Sequence, residues 1–104
     1  MNNGKIKRKD ITDFISANLA FLHETFHISK IGLFGSFSRE EENDASDIDI
    51  IIEFDGEIDD IYELKEQIRA FFRNRFGCEV DIAREKYLKS RVRDHIHRDV
   101  IYVS

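Results

Sequence analysis

The segment GLFGSFSREEENDASDIDIIIEF, residues 32–54, contains the pattern that decides the fold. Its end, Asp47–Phe54, begins with alternating acidic and apolar residues and then becomes continuously apolar, as is typical of a strand covered on both faces. A shorter apolar run, Ser29–Phe34, predicts another strand just before Gly35. Because only a short helical turn, Ser36–Glu42, and a bend separate the two strands, we expect them to pair antiparallel.

The flanking sequence adds helices on both sides of this pair. Apolar residues recur every three or four positions from Ile11 to His27, which predicts one helix with Asp10 as its N-cap. A second apolar stripe, Ile61–Phe76, ends at Gly77, a residue that commonly terminates helices. The remaining predicted elements are a turn at Asn43–Ser46, a third strand at Cys78–Ala83 and a final helix at Leu88–Val100.

The order of these elements predicts the fold class. A full helix between the second and third strands allows a right-handed parallel crossover. We therefore expect an α/β (α+β) fold, in which helices pack on a small mixed β-sheet in two layers. A chain of 104 residues, without a linker-like stretch or internal repeat, is expected to form a single domain over residues 1–104.

Charge and composition exclude several classes of protein. Residues 40–63 contain 12 carboxylates and no Lys or Arg, although the whole chain has a net charge of only −5. This acidity disfavours nucleic acid as a partner. The one cysteine, Cys78, cannot form a disulfide framework, so we expect a reduced, cytoplasmic protein. No apolar run reaches the roughly 18 residues that a membrane span needs.

Three carboxylates are expected to converge on one face of the sheet. Asp47 and Asp49 are two residues apart on a strand and so point to the same side, and Asp81 lies on the next predicted strand. Each close pair costs roughly 3 to 4 kcal/mol of repulsion at an effective dielectric near 20. Divalent metal would offset this repulsion, and the hard oxygen ligands suit Mg²⁺ or Mn²⁺. Two such ions commonly clamp an in-line displacement at phosphorus.

A phosphate-binding turn is expected next to these acids. Gly35 allows close approach of the backbone to a phosphate, and the Ser36 hydroxyl can donate a hydrogen bond to it. Arg39 follows one turn later on the same side. Together with the acids, this pattern indicates a site for a metal-bound nucleoside triphosphate that is attacked at its α-phosphate.

The segment resembles the signature of the DNA polymerase beta-like nucleotidyltransferase superfamily, and the short chain most resembles its minimal members, which are often antitoxins paired with a HEPN-domain toxin. The resemblance covers about residues 14–103 and includes the last segment, HRDVIYV. The family pattern has a GS dipeptide, an Arg three residues later, an S-D-x-D motif and a third acid. It falls here on Gly35, Ser36, Arg39, Ser46, Asp47, Asp49 and Asp81.

The resemblance implies a polymerase-beta-like fold and a role for each of these residues. Asp47 and Asp49 would hold two Mg²⁺ ions, and Asp81 would ligate the catalytic ion and help to deprotonate the attacking hydroxyl. Gly35, Ser36, Arg39 and Ser46 would bind the nucleotide. The implied reaction transfers AMP from ATP to a hydroxyl, with a tyrosine of a HEPN toxin as acceptor, in a complex of antitoxin and toxin.

One departure from the family pattern leaves an alternative open. The residue after the Arg is usually Gly, and here it is Glu40, whose carboxylate could repel the triphosphate. The alternative function is a catalytically weak antitoxin that neutralises its partner by occlusion. The acids Glu40–Glu42 are otherwise interpreted as solvated surface charge.

Two further motifs are interpreted as coincidental. His23–His27 matches the H-E-x-x-H pattern of zinc proteases, but no third ligand follows at a suitable spacing. Arg91–His97 fits the loose R-x(4–6)-H pattern of HEPN ribonucleases, which is expected by chance in a chain of this composition. The basic stretch around it, residues 84–98, is interpreted as a solvated helix face that could instead contact a triphosphate or an acidic partner.

Overall fold

The computed structural model of the chain describes residues 6–42, 46–85 and 100–103. Its centre is a mixed sheet in the order β3-β2-β1-β4. Strand β1 pairs antiparallel with both β2 and β4, and β2 pairs parallel with β3. The predicted mixed sheet, with an antiparallel first pair and a parallel crossover, is therefore confirmed. The strands are β1 (Ile28–Phe34), β2 (Ile48–Phe54), β3 (Val80–Arg84) and β4 (Ile101–Tyr102).

Four helices accompany this sheet in the described residues. They are α1 (Arg8–Ala17), α2 (Leu19–Phe26), α3 (Gly35–Ser38) and α4 (Ile61–Phe76). At the start of α4, the side chain of Asp60 accepts a hydrogen bond of 2.9 Å from the backbone N–H of Glu63. At its end, Gly77 takes the left-handed conformation (φ 69°), as the sequence predicted.

The single helix predicted for Ile11–His27 is wrong, because the chain forms two helices there. Asn18 separates them with non-helical backbone angles (φ −118°, ψ 15°), and its side-chain amide donates a 2.7 Å hydrogen bond to the Phe14 carbonyl. Asp10 is not the N-cap either. Lys7 occupies that position, and the Asp10 carboxylate accepts a 2.9 Å hydrogen bond from the Lys7 backbone N–H.

The main core lies between one face of the sheet and helices α1, α2 and α4. Alternate residues of β2, including Ile50 and Ile52, point into this core, where Phe72 of α4 is fully buried. Ile51 points to the opposite face and is also fully buried. The prediction that β2 is covered on both faces is therefore confirmed.

A polar network spans one end of this second face. The hydroxyl of Tyr102 donates a 2.6 Å hydrogen bond to the Glu85 carboxylate, and the Lys30 ammonium lies 3.0 Å from the same carboxylate. Nearby, Arg84 pairs with Glu53 at 3.1 Å. Together these two sets of contacts involve residues from all four strands, at the end of the sheet that is remote from Asp49.

Some sequence predictions concern residues outside the described ranges. These are the helix at Leu88–Val100, apart from Val100 itself, the turn at Asn43–Ser46, apart from Ser46, the Arg91–His97 motif, and most of the basic stretch. Strand β4 was not predicted, because two paired residues are too few to produce a periodic pattern. Among the helices of the described ranges, none is long and apolar enough to cross a membrane.

Candidate active site

Two of the three predicted acids are direct neighbours across the parallel strand pair. Asp49 of β2 and Asp81 of β3 are register partners, so both side chains leave the same face of the sheet. The Asp49 side chain is half-buried and that of Asp81 is exposed. The parallel crossover through α4 thus brings together two carboxylates that lie 32 residues apart in the sequence.

The charges of this site act strongly on Asp49. Burial, and after it the negative charges of Asp81 and Asp47, raise the pKa of its carboxyl to about 6. The positive charge of Arg39 acts in the opposite direction. The site therefore has an excess of negative charge close to Asp49, as the sequence predicted.

Asp47 lies just before β2 and is exposed to solvent. Its charge acts on Asp49 and also on Cys78, whose thiol pKa is raised first by burial and then by Asp47. Asp47 therefore lies at the edge of the same acidic cluster. Cys78 is partly buried and packs against the core near this edge.

The side chains of this site fit a metal that shares its coordination with a substrate. In the described part of the chain, no group of three or more His, Cys, Asp or Glu side chains is close enough to hold a metal ion. Asp49 and Asp81 nevertheless supply the hard oxygen donors that Mg²⁺ prefers. Mg²⁺ is usually bound through one or two carboxylates, with water and substrate phosphates completing the octahedron.

Gly35 is required where the turn after β1 meets the acids. Its backbone has φ 77°, a region that side chains other than Gly rarely adopt. A Cβ at this position would overlap Oδ2 of Asp49 and lie 3.0 Å from its Cγ. The absence of a side chain at Gly35 therefore allows the Asp49 carboxylate to pack directly against the turn.

The turn itself is a short helix that ends in a Schellman motif. The N–H of Glu41 donates to the Ser36 carbonyl (2.8 Å), and the N–H of Glu40 donates to the Phe37 carbonyl (3.2 Å). Glu40 consequently occupies the left-handed C′ position with φ 59°. This geometry explains physically why Gly is usual there.

The remaining predicted nucleotide-binding residues lie in the turn after β1 or just before β2. Arg39 ends α3, and its charge lowers the pKa of Asp49. Its Nε donates a 2.9 Å hydrogen bond to Glu41. Ser36 lies within α3 and Ser46 just before β2, and both are partly buried.

Of the acids that follow Arg39, Glu40 and Glu41 are exposed, in agreement with their interpretation as surface charge, whereas the Glu42 side chain is only 15% exposed. Each contacts a basic side chain. Glu40 lies 3.3 Å from Arg8, Glu41 lies 2.9 Å from Arg39, and Glu42 lies 4.0 Å from Lys7. Arg8 was not singled out from the sequence, because no local pattern connects it to residues 30 positions away.

The H-E-x-x-H motif does not form a helical pair of ligands. Its second histidine, His27, lies beyond the end of α2 with left-handed backbone angles (φ 62°, ψ 29°). Its first, His23, faces Asp55 at 3.5 Å. The two imidazoles therefore do not share one helical face, as zinc proteases require.

Residues 15–103 match the nucleotidyltransferase domain family. The chain belongs to this family, and it is a nucleotidyltransferase. The resemblance to this family that the sequence pattern indicated is thereby confirmed.

This chain is similar to one relative in sequence and to two solved structures. Over 98 residues, the chain is 34% identical to the protein adenylyltransferase MntA of Thermococcus cleftensis, covering 91% of this chain and 94% of the relative. In structure it is similar to a candidate minimal nucleotidyltransferase (TM-score 0.77, 21% identity, 95% and 98% of the two chains covered). It is also similar to a chain from the complex of tri-AMPylated Shewanella oneidensis HEPN toxin with MNT antitoxin (TM-score 0.61, 15% identity, 89% and 71% covered). The two structural likenesses show the fold.

Proposed function

We propose that this protein transfers AMP from ATP to a hydroxyl of a partner protein, and that the partner is a HEPN-type toxin which the transfer neutralises. The observation that carries this proposal is the register pair of Asp49 and Asp81 beside the Gly35 turn. The name of the T. cleftensis relative and the HEPN–MNT complex support the type of acceptor. The proposal treats residues 1–104 as one catalytic domain that works in the cytoplasm, where ATP is available.

The acids would hold two divalent ions, Mg²⁺ or Mn²⁺. In our proposal Asp47 and Asp49 would hold both ions, and Asp81 would be a ligand of the catalytic ion. Bound there, the ions would supply positive charge to the α-phosphate and to the leaving group. Besides burial, which is the larger cause, the charges of Asp81 and Asp47 raise the pKa of Asp49, and a bound cation would offset these charges.

The turn would orient the triphosphate. Gly35 lets the backbone of the turn approach Asp49, beside which the phosphates would lie, and the Ser36 hydroxyl would donate a hydrogen bond to one of them. Arg39 contributes a positive charge next to the acids, and Ser46 supports the nucleotide from the start of β2. Two observations support these assignments: the Asp49 carboxylate packs against Gly35, and the charge of Arg39 acts on Asp49.

The transfer itself is a single displacement. The acceptor oxygen, proposed to be a tyrosine hydroxyl, forms a bond to the α-phosphorus while the bond from that phosphorus to the oxygen of the β-phosphate breaks. Pyrophosphate leaves, and the carboxylate of Asp81 takes the hydroxyl proton. Asp81 suits this role because it is exposed at the sheet edge, where a partner can approach.

The alternative of neutralisation by occlusion alone rested on Glu40. The Glu40 carboxylate pairs with Arg8 at 3.3 Å. Its negative charge is thus offset by a cation of this chain. This contact favours the enzyme over the weak nucleotide-binding protein.

Intact-mass spectrometry of the partner tests the proposal directly. A HEPN-domain protein, the proposed partner, is incubated with Mg-ATP and catalytic amounts of the full 104-residue chain. We expect additions of one or more AMP units, and a stable complex of the two proteins by size-exclusion chromatography. The Asp47→Asn, Asp49→Asn and Asp81→Asn variants should each reduce the rate by about 10³-fold or more, as loss of electrostatic stabilisation commonly does.

The matched control is Asp59→Asn, which removes an exposed carboxylate outside the site. We expect this variant to retain the wild-type rate. Full neutralisation of the toxin by Asp47→Asn, without any AMP adduct, would contradict the enzyme and establish occlusion.

A further inference from the structure

The phosphate-binding turn is attached to helix α1 by one arginine. Nη1 of Arg8 donates a 3.0 Å hydrogen bond to the backbone carbonyl of Ser38, the last residue of α3. Nη2 of the same guanidinium lies 3.3 Å from the Glu40 carboxylate. Arg8 therefore contacts the turn at two points, on either side of Arg39.

The backbone at the second of these points is strained. Glu40 has φ 59°, although it has a Cβ, and residues of this kind persist only where the surroundings hold them. The contact from Arg8 supplies such a restraint. In addition, the first contact satisfies a carbonyl at the end of a helix, where no intrahelical partner remains.

We propose that Arg8 and Glu40 form a clasp that holds the Gly35–Glu41 turn in its binding conformation, and that Arg8 is a positioning residue for Arg39 and Ser36. The link to nucleotide binding rests on the proposed function. Arg8 acts through the backbone of the turn and does not itself contact the triphosphate. The clasp also directs the Glu40 carboxylate toward α1.

We expect the contributions of Arg8 and Glu40 to the stability of the turn to be coupled. With Glu40 in place, loss of Arg8 leaves a strained turn without its restraint. With Gly at position 40, the left-handed backbone is no longer strained, so the turn depends less on Arg8. The effects of the Arg8→Ala and Glu40→Gly substitutions should therefore be non-additive.

Amide hydrogen exchange tests the clasp without any nucleotide. The N–H groups of Arg39, Glu40 and Glu41 each donate a hydrogen bond within the turn. We expect Arg8→Ala to speed their exchange by about fivefold or more, and the Arg8→Ala/Glu40→Gly double variant to return it near the wild-type rate. Arg8→Lys, which keeps the charge but not the two-point geometry, should give an intermediate rate.

The matched control is Lys9→Ala. Lys9 is the next residue on α1 and pairs with Asp13 at 2.7 Å, without a contact to the turn. In the Lys9→Ala variant, the N–H groups of the turn should exchange at the wild-type rates. Equal exchange in Arg8→Ala and Lys9→Ala, or no recovery in the double variant, would overturn the clasp.

Affinity for Mg-ATP, measured by calorimetry, tests the positioning role. Arg8→Ala should weaken the binding of Mg-ATP by about fivefold, and the double variant should recover the affinity. The thermal midpoint of Lys9→Ala should be unchanged. Faster exchange with undiminished affinity would show that Arg8 is a structural residue only and would overturn its positioning role. If the wild type binds no Mg-ATP, the proposed function fails, and the positioning role fails with it, whereas the exchange data still decide whether the clasp exists.

Discussion

Asp49 and Asp81 are register partners on the parallel strands β2 and β3, and no residue separates them on that face of the sheet. Two carboxylates in such positions repel each other in the absence of a cation. Because both carboxylates are present, next to a glycine with a left-handed backbone, the metal-free fold has a local cost in stability. That cost can be measured as a change in the free energy of unfolding.

The stability of the metal-free protein should fall as the pH rises from about 4 to 6. The folded pKa of Asp49, about 6, lies above the unfolded value of about 3.9, so the folded state keeps a proton that the unfolded state has lost. The resulting advantage is present at low pH and disappears as the pH rises through 6. After allowance for the partial exposure of Asp49, we expect a difference of about 1 kcal/mol.

Urea unfolding in the presence of a chelator checks this pH dependence. Asp49→Asn should be more stable than the wild type near pH 7.5 and nearly equal to it near pH 4.5. A stability difference that is the same at both pH values would show that Asp49 does not titrate as described.

Mg²⁺ or Mn²⁺ together with a non-hydrolysable ATP analogue should stabilise the protein. At a ligand concentration of one hundred times Kd, the expected gain is about 2.7 kcal/mol, seen as a rise in Tm by differential scanning fluorimetry. The rise should be lost in Asp49→Asn and Asp81→Asn but kept in Asp59→Asn. An equal rise in all four proteins would place the metal and nucleotide elsewhere.

Gly35→Ala should abolish transfer and destabilise the fold by about 2 kcal/mol or more, because its Cβ would meet the Asp49 carboxylate in addition to the unfavourable φ. Gly56→Ala is a matched control, since Gly56 has nearly the same φ (78°) but open space around its Cα. The control should cost only about 1 kcal/mol and leave transfer intact. Equal losses in both variants would mean that backbone strain alone explains the requirement for Gly35.

Tyr102→Phe should destabilise the protein by about 1 kcal/mol, because it removes the 2.6 Å hydrogen bond to Glu85. Burial and this hydrogen bond raise the pKa of the Tyr102 hydroxyl, so the bond persists at alkaline pH. Tyr62→Phe is the control, since Tyr62 is 77% exposed, and should change the free energy of unfolding little. Similar effects of the two substitutions would argue against the network across the sheet.

Local sequence patterns predicted the strands well and the helices less well. The apolar run of β2 and the glycine after α4 are strong local signals, and both elements were found where expected. The break at Asn18 was missed because the apolar stripe continues through it, while a side-chain hydrogen bond to the Phe14 carbonyl ends the first helix. Strand β4 was missed because pairing with β1, and no pattern of its own, defines it.

In the candidate site, some relationships follow from the spacing of residues in the sequence, whereas others depend on contacts between distant segments. The proximity of Asp47 to Asp49 and the position of Gly35 after a strand follow from spacing alone. The contact of Arg8 with Glu40 does not, because it joins segments 32 residues apart with no shared periodicity.

The sequence by itself determined which groups are available: acids at alternate positions of one strand, a glycine and a serine at a strand end, and a third acid on a later strand. Only the tertiary structure decided that Asp81 stands opposite Asp49, that Gly35 lies against the Asp49 carboxylate, and that the Glu40 carboxylate is held by Arg8. The physical reason is that side-chain direction follows from the local backbone, whereas register and contact depend on how distant segments pack against a common core.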